Sequence, residues 1–279
     1  MQNASSIPAD AYVMIIGAMK AGTSSLFDLL AQHPALCAAR AKEPEFFSAH
    51  QAHRVAAERY ESLFDFDPAH HTVCLEASTG YTKFPEEAGV PQRMKAYGVE
   101  PRFIYIVRDP VDRFASQLNY AHLNNYAWGD ANLFGLLAAS VSMYHRQLSE
   151  FLAVYPDRDR YFVADFDDLK ADPEALCRSV TDWLGLPAAR FDDAGPRNAT
   201  PARSEAELRL TRSGLHRFRH LLPESLRAHI KAALRARGTP AKRDLTEAEV
   251  GQLRAWLASD MQRFKETFGF PVERWGFDV

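Results

Sequence analysis

The stretch Gly17-Ala18-Met19-Lys20-Ala21-Gly22-Thr23-Ser24-Ser25 combines small side chains, one cation and a run of hydroxyls. Between a strand and a helix, such a stretch gathers a phosphate, because backbone N–H groups and the positive end of the helix dipole face the anion. Ala21 and Gly22 let the backbone come close, and the Thr23 and Ser24 hydroxyls can add donors at the helix start. Lys20 can reach the bridging oxygen of a departing phosphate. In the triphosphatase form of this loop a lysine directly follows the second glycine, and the next Ser or Thr holds magnesium. Here Thr23 follows Gly22, which speaks against a P-loop kinase or nucleotide hydrolase. The plain alternative is a tight turn with no ligand.

A second anion site is readable further on. The apolar run Phe103 to Val107 ends in Arg108-Asp109-Pro110, and Ser116 lies about two turns into the helix that Pro110 opens. Ligands of open parallel sheets bind beyond the carboxyl ends of the strands, so Arg108 and the Lys20 loop are expected to face one crevice. Two separated anion sites fit a nucleotide phosphorylated at both its 5′ and 3′ positions. Taken singly, Arg108 reads as a salt bridge to Asp109 or Asp112 and Ser116 as an ordinary helical serine. The joint pattern carries the inference.

The elements that must position these residues alternate. Val13 to Ile16 reads as a strand, followed by a helix over Ser24 to Gln32 that stops before Pro34. Helical patterns cover Ala49 to Phe64 and Glu87 to Tyr97, with buried-type strands at Thr72 to Glu76 and Arg102 to Arg108. Ala131 to Tyr155 and Pro173 to Leu184 read as helices flanking a strand at Tyr161 to Phe166. Parallel strands need crossovers, which are mostly helical, so the pattern predicts an α/β fold with a parallel sheet covered on both faces. From Pro201 onward helices dominate, including Glu224 to Arg237 and Thr246 to Phe268. The expected organisation is a single domain over 1–279, with a core at about 11–200 and an appended helical extension at about 201–279.

Composition excludes more than it assigns. Apolar residues at 47% and charged residues at 25% are ordinary for a soluble globular chain of 279 residues. The apolar run Ala11 to Met19 is too short to span a bilayer, and Met1 to Tyr12 lacks the form of an export signal. Cys37, Cys74 and Cys177 are far apart and odd in number, which argues against a disulfide framework or a cysteine zinc site and for a reducing cytoplasm. Net charge is −3, yet eleven Lys or Arg and three Glu fall between Arg203 and Arg243, a stretch that an acidic partner could meet or that simply faces water. The pairs His50/His53 and His216/His220 read as surface or core histidines, and nucleic acid is not an expected partner.

Four segments resemble the PAPS-dependent sulfotransferases, and within them bacterial members similar to the heparan sulfate glucosaminyl N- and 3-O-sulfotransferases; PAPS is 3′-phosphoadenosine-5′-phosphosulfate. These are Ile16 to Thr23, Lys42-Glu43-Pro44-Glu45-Phe46-Phe47, Glu76-Ala77-Ser78-Thr79-Gly80-Tyr81, and Val107 to Pro110 with Arg113 and Ser116. The resemblance implies a P-loop-type sheet and sulfuryl transfer from PAPS to a hydroxyl or amine of a glycan, glycolipid or small molecule, releasing 3′,5′-ADP (PAP). It implies that Lys20, Ala21, Gly22, Thr23 and Ser24 hold the 5′-phosphosulfate, and that Arg108 and Ser116 hold the 3′-phosphate. A later loop at Asn198 to Arg203 would complete that site through Arg203. Glu43 would be the general base and Lys20 would stabilise the leaving phosphate, with no metal required. Glu45 is a rival base, and Pro44 is expected to keep the stretch extended and turn the two side chains apart. Ala77 stands where the heparan enzymes carry Lys, and Glu45 where the 3-O enzymes carry His; both departures argue against a heparan-type acceptor. A nucleotide-binding protein without transferase activity is the second alternative.

Overall fold

The computed structural model describes residues 7–124, 136–192 and 244–279. Five strands form one parallel sheet in the order β2-β3-β1-β4-β5. They are β1 (Tyr12–Gly17), β2 (Leu36–Ala38), β3 (Val73–Ala77), β4 (Arg102–Val107) and β5 (Tyr161–Asp165). The middle strand, β1, is buried at every residue, so a continuous apolar run rather than an alternating one encodes it. β2 is three residues long, too short to show a period, and the sequence did not reveal it.

The helices are α1 (Thr23–Leu30), α2 (Val90–Tyr97), α3 (Pro110–Asn124), α4 (Leu136–Ser140), α5 (Tyr144–Leu152), α6 (Phe166–Ala171), α7 (Pro173–Leu184) and α8 (Glu247–Phe268). They form two groups against the sheet, α1 with α6 and α7, and α5 with α2 and α8. The expected parallel sheet flanked by helices is present.

Three expectations fail for identifiable reasons. Ala49 to Phe64 holds no α-helix, only a 3-10 turn at Tyr60–Leu63. Its backbone donors are taken by tertiary partners: the Ala49 and His50 N–H groups donate to the buried Glu87 carboxylate at 2.8 and 2.7 Å, and Val55 N–H donates to the Pro44 carbonyl. The described part of the Ala131 to Tyr155 pattern is broken between α4 and α5, where Ser142 Oγ accepts from Arg113 Nε and donates to the Pro110 carbonyl, both at 2.8 Å. The C-terminal helix is not laid on from outside: Leu253, Leu257, Met261 and Phe264 of α8, with Phe270 and Trp275 beyond it, belong to the main core cluster. The Glu224 to Arg237 pattern and the basic stretch of Arg203 to Arg243 lie outside the described residues.

Candidate active site

The loop after β1 is held from three sides. Ala18 N–H donates to the Ile106 carbonyl of β4 at 2.7 Å, and Thr82 Oγ1 donates to the Ile16 carbonyl at 2.6 Å. Arg113, wholly buried on α3, donates to the Met19 carbonyl at 3.2 Å and also binds Ser142, Gln117 and the Ala138 carbonyl. Gly22 ends the loop at φ 94°, and a Cβ there would sit 2.6 Å from the Phe166 ring, so both conformation and space require glycine. α1 then starts without any side-chain cap, leaving its first amides available to an anion, with Thr23 buried and Ser24 half-buried at that end.

Lys20, Glu43 and Glu45 are the non-glycine residues with positive φ among those described, at 70°, 56° and 52°. Backbone in that region is costly for residues with a side chain and clusters where function requires it. Here it corrects the expectation for Pro44: both carboxylates turn the same way, and with the His53 ring they bring ligand atoms within 4.8 Å of one another. His53 Nε2 lies 3.9 Å from Glu43 Oε2 and 4.0 Å from Glu45 Oε1.

The two carboxylates differ in setting. Glu45 is fully buried, accepts from Gly80 N–H at 2.7 Å and from Ser48 Oγ at 2.5 Å, and burial holds its pKa above the usual value. Glu43 has a third of its side chain exposed; burial alone would raise its pKa, but the Lys42 ion pair at 2.7 Å and the Lys83 and His53 charges bring it below the usual value. Thr79 Oγ1 donates to Glu43 Oε1 at 3.3 Å, and the Glu43 N–H donates to the Ala77 carbonyl. Its Oε1 is therefore engaged by Lys42 and Thr79, and its Oε2 is the oxygen nearer His53.

Arg108 lies near enough to Lys20 for the two charges to act on each other. Burial first, and then repulsion from Arg108, push the Lys20 pKa down, while the Glu43 charge opposes the shift. Arg108 does make the local ion pair to Asp112, at 3.1 Å, and its guanidinium carbon lies 5.2 Å from the Phe166 ring centroid. Asp109 instead caps α3, accepting from the N–H groups of Val111 and Asp112. Ser116 is half-buried on α3, one turn past Asp112. Arg203 and the rest of the Asn198 to Arg203 candidate lie outside the described residues. Sequence reading quoted Thr79 within a matching segment without giving it a role, and missed Lys83 and Tyr120; their approach to the site depends on crossovers that no local pattern records.

A protein-family model described as the sulfotransferase family matches residues 13–193 of the 279. The chain belongs to the sulfotransferase family. The matched span holds the Lys20 loop, both glutamates, Arg108 and Ser116 of this sulfotransferase-family chain. The chain is 26% identical over 193 residues to heparan sulfate glucosamine 3-O-sulfotransferase 3A1 of Mus musculus, covering 62% of this chain and 45% of that protein. Heparan sulfate glucosamine 3-O-sulfotransferase 6 of Homo sapiens is 26% identical over 200 residues, covering 67% of this chain and 56% of its own length. The chain thus spans about half the length of these curated relatives. Among solved structures, a sulfotransferase from Alicyclobacillus acidocaldarius superposes with a TM-score of 0.65 at 20% identity, over 97% of this chain and 100% of that one, which shows a shared fold.

Proposed function

We propose that this chain transfers a sulfuryl group from PAPS to a hydroxyl or amine, with Glu43 as general base and Lys20 on the leaving phosphate. The observation that carries the reading is the convergence of Lys20, Arg108 and Glu43 beside an uncapped helix start, with Lys20, Glu43 and Glu45 the non-glycine residues at positive φ among those described. Loop amides, Lys20 and Arg108 offer the donors and positive charge that a 3′,5′-diphosphorylated nucleoside requires. Arg203 is proposed as a further 3′-phosphate contact alongside Ser116.

An alcohol is too weak an acid to ionise beforehand, so its proton leaves in concert with attack, onto a carboxylate that is already charged. Glu43 meets that requirement with a third of its side chain exposed, whereas Glu45 is sealed and burial pushes its pKa up. Lys20 would neutralise charge gathering on the leaving oxygen, the kind of electrostatic help that dominates phosphoryl transfer. The acceptor is read as a glycan, glycolipid or small molecule. The relatives named for heparan sulfate do not extend that acceptor here, because Ala77 and Glu45 replace residues those enzymes carry. No helix among the described residues is long and apolar enough to cross a membrane; a cytoplasmic location is part of the proposal.

Two measurements test this. PAP is expected to stabilise the chain in thermal unfolding where ATP with magnesium does not, and labelled sulfate from PAPS is expected to pass to an acceptor in an extract screen. In the Glu43→Gln chain turnover is expected to fall on the order of 10²-fold or more while PAP still binds. Wild-type turnover in that variant removes Glu43 from the mechanism.

A further inference from the structure

The described partner of the Lys20 ammonium is an aromatic face rather than a carboxylate: Nζ lies 4.4 Å from the centroid of the Tyr120 ring. Tyr120 is on α3 at a spacing of four residues from Ser116 and eight from Asp112, so these side chains share one stripe of the helix. That stripe carries Arg108 at one end, through Asp112, and Lys20 at the other.

We propose that Tyr120 is a positioning residue whose ring parks the Lys20 ammonium away from Glu43 until a nucleotide phosphate takes it. The inference rests on the reading of Lys20 as the leaving-phosphate cation. Lys20 is partly buried, Arg108 repels it, and Glu43 is the carboxylate whose charge acts on it. In such a setting an unheld lysine is drawn toward the Glu43 charge, which would keep the cation from the nucleotide phosphate. A ring face is a weaker partner than a charged phosphate oxygen, so it holds the ammonium without outcompeting the nucleotide. The Lys20 backbone, at φ 70°, occupies a narrow well, and the exchange between ring and phosphate is therefore left to side-chain rotamers.

The test is PAP affinity by calorimetry on the full chain, for Tyr120→Leu, Tyr120→Met and Tyr120→Phe, each in the Glu43 and the Glu43→Gln background. Loss of the ring is expected to weaken PAP binding about three- to ten-fold with Glu43 present, because PAP must then pull Lys20 off the carboxylate. In the Glu43→Gln background the same change is expected to have no effect, and Tyr120→Phe should match wild type in both. An equal loss in both backgrounds, or no loss in either, overturns the parking role. Undiminished PAP binding by Lys20→Ala overturns the reading of Lys20 itself and the parking role with it. Should Tyr120→Leu fail to fold, the Met variant, closer in bulk, decides between the same outcomes.

Discussion

Glu43 and Glu45 sit two positions apart on backbone of the same unusual hand, yet their surroundings drive their ionisation in opposite directions. Lys42 and Lys83 lower the Glu43 pKa, while burial raises that of Glu45 against the opposing pull of the Ser48 hydroxyl, the Gly80 amide and the Lys83 charge. The same logic sets the pH range of catalysis. Glu43 must be ionised and Lys20 protonated, and both pKa values lie below their ordinary ranges. A bell-shaped rate profile is expected, displaced toward acid at both limbs, with its alkaline limb below the usual lysine value of 10.5. Lys20→Arg is expected to remove the alkaline limb, since a guanidinium stays charged through that range. An unmoved limb in that variant would assign it to another group.

At the scale of elements, the start of α5 is secured by a side chain that lies far away in sequence. The first turn of α5 has its His145 and Arg146 N–H groups bound by the buried Asp260 carboxylate of α8, at 3.0 and 2.9 Å. A local sequence window holds no trace of that cap, although the Thr246–Glu249 capping box that opens α8 is plainly local. Asp260→Ala leaves two part-buried amides without their acceptor and is expected to cost about 2 kcal/mol or more in chemical denaturation. Asp260→Asn retains a carbonyl acceptor and is expected to cost less. Equal stability of the two variants would show that the cap contributes little. Glu87 acts likewise on the Ala49–Gln51 turn, and that explains why a helical pattern there yields a loop.

For the molecule as a whole, buried acids make stability depend on pH. Glu76, at the end of β3, is fully buried and accepts from the hydroxyls of Tyr60 at 2.9 Å and Tyr81 at 3.2 Å; burial pushes its pKa up to about 7. Asp260 is pushed up to about 6 for the same reason. For an acid whose folded pKa exceeds the unfolded one, the native state binds more protons in between, so stability is full below the unfolded pKa and is lost as pH rises through the folded pKa. The Glu76 contribution is therefore expected to fade between about pH 4.5 and 7, by on the order of 3 kcal/mol. In Glu76→Gln the slope of melting temperature against pH is expected to flatten across that window. A slope identical to wild type would mean that Glu76 ionises in the fold as easily as in water.

What the sequence alone determined is the order and kind of the main elements, and the two strand ends that carry Lys20 and Arg108. Continuous β-branched runs, Gly22 before a hydroxyl pair and Pro110 after Arg108 are local signals, set by backbone sterics and periodicity within a few residues. Only the tertiary structure decided that the two glutamates are shifted in opposite directions, that Thr79 and Lys83 attend Glu43, and that the Tyr120 ring lies against the lysine. Those assignments depend on charges, burial and ring faces delivered by crossovers between strands distant in the chain. Spacing in sequence does not encode the electrostatic environment that results when such segments meet.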